Sequence, residues 1–465
     1  MHRPLAVLIL LLLAPGRSPA YDPEVWTTYP NMNFVSSIAE GDDEVYFATT
    51  GGIRRYDRFG RRWLAPLTAL DGLPDGRVER LAYERSSGDL WFDTPMGSGS
   101  WLTRLHTVSR ASPPSGVFAS RGISGFPSVF PPYGYYLQDG RVLGPSRSYA
   151  ITDALTDSWR ILWLGTWGLG VGRADLTDEQ LQFHPYGPIC PNVTAIARDG
   201  HGVWFGGDEG RGSRAEGITF LDEEEGAWRY FGDDDPGLDD VRVSSILPEG
   251  GDVWFGTPTG LVRYLKRPGQ WLTYRIGRSR RARITSLARD GDRLWIGTEA
   301  GLKVFDTKGD SLRAVEGSSR FPVRAMAVGD SLIWAGTELG LYRCVRGEGT
   351  WTRAPGPEGL TRLPVAALCT RAGGVWAVLR SPPALVRISD DGSEWERFPL
   401  SEITGSRSVS VAADTSRVWV TTDQGVFRLR LSSGLWQRYI QYDGLLADRV
   451  NAVLLDGDFV WFGTS

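Results

Sequence analysis

The sequence predicts an all-β chain of about ten four-stranded antiparallel repeats, and three observations carry that expectation. One short pattern, apolar then aromatic then apolar then small then Thr or Gly, recurs ten times in 465 residues. The segments around it are four to eight residues long, rich in β-branched and aromatic residues, and bounded by Gly, Asp, Ser and Pro. Apolar residues keep no sustained helical spacing.

The copies are VYFATT at Val45, LWFDT at Leu90, LWLGT at Leu162, VWFGG at Val203, VWFGT at Val253, LWIGT at Leu294, IWAGT at Ile333, VWAVL at Val375, VWVTT at Val418 and VWFGT at Val460. Seven of the nine intervals between their aromatic residues lie between 39 and 45. Each unit has one interior order: an apolar strand, an Asp-Gly turn, the motif strand, a third strand opened by Gly-Leu or Gly-Val, and a fourth strand starting near a Trp. Such a meander exposes two faces and two edges, so it must stack on copies of itself. At this period radial stacking is favoured, which predicts a β-propeller. Of 19 Trp, 16 fall at the second-strand or fourth-strand positions, as wedges between sheets would.

The repeat region spans residues 21–465. Trp26 to Tyr29 has the spacing of a fourth strand with no sheet of its own, while Asp448 to Thr464 supplies only the first two strands of a last, incomplete unit. The first segment is therefore expected to complete the last blade, and the chain reads as a piece of a longer one. Two arrangements fit: one large ring, or a ring of about seven blades through roughly residue 357 with part of a second behind it.

Residues 1–20, MHRPLAVLILLLLAPGRSPA, have the basic start, short apolar run and small residues of a cleaved export signal, which predicts a periplasmic or secreted protein. The run is too short to span a bilayer. Formal charge is −4, against nucleic-acid binding, and 4 His and 3 Cys are a poor stock for metal sites or imidazole catalysis. No cofactor, metal site or catalytic residue is expected, and no G-x-S-x-G, H-E-x-x-H, C-x-x-C or phosphate-loop motif occurs. Cys190, Cys344 and Cys369 read as buried small residues, with Cys344 to Cys369 the one plausible internal pair.

The unit V-x-x-I-x-x-D-x-D-x-V-W-F-G-T-x-x-G-L-x-R-Y, seen best from Val241 and Ala282, resembles the two-component regulator propeller repeat of extracytoplasmic bacterial sensors, over nearly all of residues 24–465. The resemblance implies a sensing or ligand-binding propeller, commonly tied to polysaccharide response. No kinase, receiver or DNA-binding segment accompanies it. Antibiotic-opening lyases have related repeats and use a His with acidic residues near the channel; the mature chain offers His106, His184 and His201.

Function is expected where the repeat breaks, since repeated positions are committed to packing. The 72-residue interval holds an insertion at about 109–145 with Tyr133, Tyr135 and Tyr136 among Pro and Gly, read either as a self-packed loop or as an aromatic lid over the channel. The 50-residue interval expands after the second strand, offering Asp208, Glu209, Arg211 and Arg214 beside the loop that carries Trp167. These eight residues are the candidate ligand contacts. The first reading is a non-enzymatic binding or sensing module for an extracellular glycan or peptide, with a signalling or membrane partner. A lyase or glycosidase using top-face carboxylates and a structural scaffold are the alternatives.

Overall fold

The computed structural model describes residues 26–118, 126–145, 147–208, 217–232, 234–238, 240–277, 283–318, 321–371, 374–400 and 410–465. The proposed export signal, and Glu209, Arg211 and Arg214, lie outside them. Among the described residues the chain is all-β with ten antiparallel sheets: eight four-stranded, one six-stranded and one two-stranded. In chain order they span 35–67, 80–109, 136–184, 192–231, 245–275, 284–314, 323–353, 365–399, 410–439 and 450–464, and are numbered sheets 1 to 10. No helix is long and apolar enough to cross a membrane among these residues.

In all sheets but sheet 2 the motif aromatic is the wedge between a sheet and its neighbour. Trp254 of sheet 5 packs on Leu294, Ile296 and Phe305 of sheet 6, Trp295 on sheet 7, Trp334 on sheet 8 and Trp376 on sheet 9. The indoles of Trp163, Trp254 and Trp334 are 1 % exposed, so each removes most of its apolar area from water. The fourth-strand Trp63, Trp228, Trp271, Trp351, Trp395 and Trp436 all lie in fourth strands as expected.

Following these wedges reverses the expected placement of the seven-blade ring. Trp461 of sheet 10 packs against Val193, Val203, Phe205 and Leu221 of sheet 4, with Trp461 and Phe205 ring centroids 5.8 Å apart. Sheets 4 to 10 therefore close a ring of seven, residues 192–464, and the partial assembly precedes it. Its three sheets stand in the order 3, 1, 2. Trp163 of sheet 3 packs on Phe47 and Tyr56 of sheet 1, and Tyr46 of sheet 1 stacks on Tyr83 of sheet 2 at 6.3 Å. Buried Arg58 reinforces the first contact, 3.3 Å from Glu40 and 3.8 Å from Asp157.

The two ends of this arc are finished differently. The insertion adds strands Tyr136–Gln138 and Arg141–Leu143 to the inner edge of sheet 3, and its Phe126, Val129 and Val142 pack with Leu162 and Leu164. Sheet 2 instead presents polar side chains: Arg80 pairs with Asp93 at 2.5 Å, and Ser98 donates to Asp93 at 2.7 Å.

The Trp26 to Tyr29 segment completes sheet 10 through side chains without forming a strand. Trp26 lies 6.2 Å from Phe462 and 6.1 Å from Tyr439, and Tyr29 stacks on Trp461 at 5.6 Å. Arc and ring then meet at an aromatic joint of Tyr29, Tyr186 and Trp228. Inside it, Arg54 is 5 % exposed, donates to the His184 carbonyl, and lies 3.9 Å from the Trp63 ring centroid. Burial lowers its pKa to about 10.

The three cysteines are free, with Cys190 and Cys344 buried. The internal pair weighed from the sequence does not form, and the buried-residue reading holds for Cys190 and Cys344, while Cys369 is half-buried.

Candidate functional site at the ring mouth

First strands line the channel of the ring, and five of the seven carry the same irregularity among the described residues. The register slips by one residue between Val193 and Ala195, Ile284 and Ser286, Val323 and Ala325, Val365 and Ala367, and Val450 and Ala452. A bulge frees one side chain per strand from the ladder and re-aims it. In most sheets that side chain bonds a first-strand carbonyl of the next sheet. Thr194 donates to Val243 O at 2.5 Å, Thr285 to Val323 O at 2.7 Å and Asn451 to Val193 O at 3.3 Å, and Ser244, just before the unbulged first strand of sheet 5, makes the same kind of bond to Ile284 O at 2.7 Å. The arc uses the same bond: Thr152 to Val35 O and Ser36 to Val78 O, both 2.7 Å.

Sheets 7 and 8 break the belt. Their bulge residues are Arg324 and Ala366. A second departure sits beside the first, at the end of the second strand. There Thr337 of sheet 7, like its counterparts, is buried and bonds the Gly that opens the third strand, at 2.7 Å. Sheet 8 has Leu379 in its place and Arg380 as the next residue.

These departures surround a hollow of about 290 Å³ at the mouth, lined by Ser244, Arg283, Ile284, Thr285, Glu299, Arg324, Ala366 and Arg380. Arg324 Nε lies 2.8 Å from Glu338 Oε1 and its Nη1 3.9 Å from Glu299. Arg380 Nη1 reaches the same Glu338 oxygen at 3.3 Å, while its Nε is buried without a partner. Arg283 is exposed and makes no ion pair among the described residues. The mouth is thus rich in guanidinium, and its carboxylates are engaged by arginine. None of the three histidines lines it: His106 lies in a turn of sheet 2, His201 in the turn between the first two strands of sheet 4, and His184 ends a fourth strand of sheet 3. No cluster that could hold a metal occurs among the described residues.

The residues expected from the sequence are spread over both assemblies. Asp208 does lie at the ring mouth, where it accepts from Asn192 Nδ2, and Asn192 Oδ1 accepts from Asn451 at 2.8 Å. That chain ties sheet 10 to sheet 4. Trp167 stands at the corresponding end of sheet 3, edge-on to Phe34 at 5.3 Å and partly exposed. Tyr135 packs on Phe183 at 5.8 Å, whereas Tyr133 and Tyr136 point to solvent from the insertion. The insertion that carries them packs along sheet 3.

No protein-family model and no curated protein matches the sequence. Among solved structures, the chain is similar in fold to the extracellular domain of a protein named as a hybrid two-component system from B. thetaiotaomicron. The TM-score is 0.49 at 16% identity, over 96% of this chain and 69% of that one. It is similar also to a catalytically inactive virginiamycin B lyase from Staphylococcus aureus, with TM-score 0.48 at 15% identity over 59% of this chain and 92% of that one.

Arg283, Arg324 and Arg380 escaped the sequence reading. Only Arg380 carries a signal in the repeat: within the copy VWAVL, Val-Leu-Arg stands in place of Gly-Thr-Glu, a departure inside the repeat and not between repeats.

Proposed function

We propose that the chain is an exported, non-enzymatic binding module, and that its ligand enters the mouth of the seven-sheet ring. The hollow bounded by Ala366, Arg283, Arg324 and Arg380 carries this reading, because there, among the described residues, the belt of inter-sheet bonds gives way to unspent donors around open space. An extracellular oligosaccharide is the ligand class that suits it: forked donors address ring hydroxyls and substituents without a catalytic proton carrier. An acid-base pair would need two carboxylates in differing environments, and here Glu299 and Glu338 share the guanidinium of Arg324. Coupling to a signalling or membrane partner is part of the same proposal.

Calorimetric titration with a panel of neutral and uronate-containing oligosaccharides tests it. Binding at one site, abolished by Ala366→Trp, which fills the hollow, is the expected result. Silence across the panel, or undiminished binding by A366W, would overturn it.

A further inference from the structure

We propose that the hollow is an anion site which takes a carboxylate on Arg283 and Arg380, an inference that rests on the mouth being the binding site. The reasoning is a count of donors. Arg324 is committed, its Nε to Glu338 at 2.8 Å and its Nη1 toward Glu299. Arg380 shares that Glu338 oxygen at 3.3 Å, so one carboxylate serves two guanidiniums, and Arg380 Nε is left buried with no acceptor. Arg283 brings a whole guanidinium into the hollow with no carboxylate of its own among the described residues. Three guanidiniums thus face two carboxylates, Glu299 and Glu338.

The Arg380 side chain is 36 % exposed, lines the hollow and spends Nη1 alone on Glu338, so an acceptor arriving there meets guanidinium N–H groups that no other protein acceptor holds among the described residues. A planar carboxylate matches the guanidinium fork with two parallel bonds, which a neutral hydroxyl cannot do. The volume, about 290 Å³, suits one small organic acid or one acidic residue of a longer chain. Ala366 makes that room: at the corresponding bulge other sheets carry Thr or Asn, and sheet 7 carries Arg324.

Two sources could present this carboxylate, a free acid or an oxidised sugar, and citrate and trigalacturonate separate them. Each is titrated into the full chain and into Arg283→Ser, Arg380→Gln and A366W variants at low and moderate salt, with maltotriose and inorganic sulfate alongside. The expected result is saturable one-site binding of citrate or trigalacturonate, weakened at least tenfold in R283S and in R380Q and weakened again by salt. Arg283 is exposed, so R283S should keep the wild-type melting temperature and its loss of binding report the site alone. Affinity unchanged in R283S overturns the anion site. So does binding of sulfate with neither acid, which marks an adventitious ion only. Maltotriose bound equally by wild type and R283S, but not by A366W, overturns the anion class and leaves the mouth as the binding site. No binding of any probe overturns both.

Discussion

Asn451 Nδ2 lies 2.8 Å from Asn192 Oδ1, although 259 residues separate them. The same amide reaches Val193 O at 3.3 Å, and Asn192 passes the chain on to Asp208. This is the seam at which the last sheet meets the first of the ring. It uses the bulge position that holds Thr194 and Thr285 elsewhere, so closure is the ordinary inter-sheet bond made once more.

Truncating that amide should loosen the seam. Asn451→Ala strands the acceptors of Asn192 and Val193, and a net loss of about 1–2 kcal/mol is expected in denaturant unfolding. Limited proteolysis should cut within sheet 10 earlier in the variant. A wild-type midpoint and cleavage pattern would show that the seam is held by packing alone.

Two tryptophans at one repeat position should answer differently to truncation. Trp254 is 1 % exposed between sheets 5 and 6, and Trp254→Ala is expected to cost about 3–5 kcal/mol. Trp91 lies on the outer face of sheet 2 with no following sheet, donating to Glu84 at 3.0 Å. Trp91→Ala should cost about 1 kcal/mol. Equal losses would mean that the face of sheet 2 is packed against something.

Acid should weaken the joint between arc and ring. Burial, then Arg54, then Arg173 lower the His184 pKa from 6.5 to about 4, and its Nε2 is buried without a partner. Between those two values the unfolded chain takes up a proton that the folded chain refuses, so stability is whole above pH 6.5 and falls as pH drops toward 4. The loss from this group is about 3 kcal/mol at most. His184→Gln should lose less melting temperature between pH 7 and pH 5 than wild type. A variant with the wild-type slope would place the acid sensitivity elsewhere.

The thiols should be silent in the folded state. Burial pushes Cys190 up to about 11 and Cys369 up to about 12, and raises Cys344 as well. A thiolate-directed reagent at pH 8 should label none of the three until denaturant is added, and then all three. Fast native labelling of any one would contradict its placement in the packed sheets.

Much of this architecture was legible because the signals are local. The motif at Val253 and Leu294 alternates with period two, its Trp recurs at sheet spacing, and Gly340 opens a third strand where its φ is +114° and a Cβ would stand 2.0 Å from Thr361 O. The candidate site was less legible. A bulge adds one residue and leaves the apolar run looking continuous, so nothing marked Arg324 and Ala366 as the side chains turned out of the ladder. Conversely, Tyr135 sat in a conspicuous insertion, yet it packs on Phe183 within sheet 3.

The sequence by itself determined the repeat strands and their grouping into ten sheets, with the wedge at the heart of most of them, because pleat alternation and turn chemistry act over a few residues. Only the tertiary structure decided which sheets are neighbours: sheet 1 between 3 and 2, and sheet 10 against 4. Most of the ten offer nearly the same apolar faces, so a repeat specifies that such a face will be covered without naming its partner. That choice falls to contacts distant in the chain, such as Thr152 on Val35 and Trp461 on Phe205.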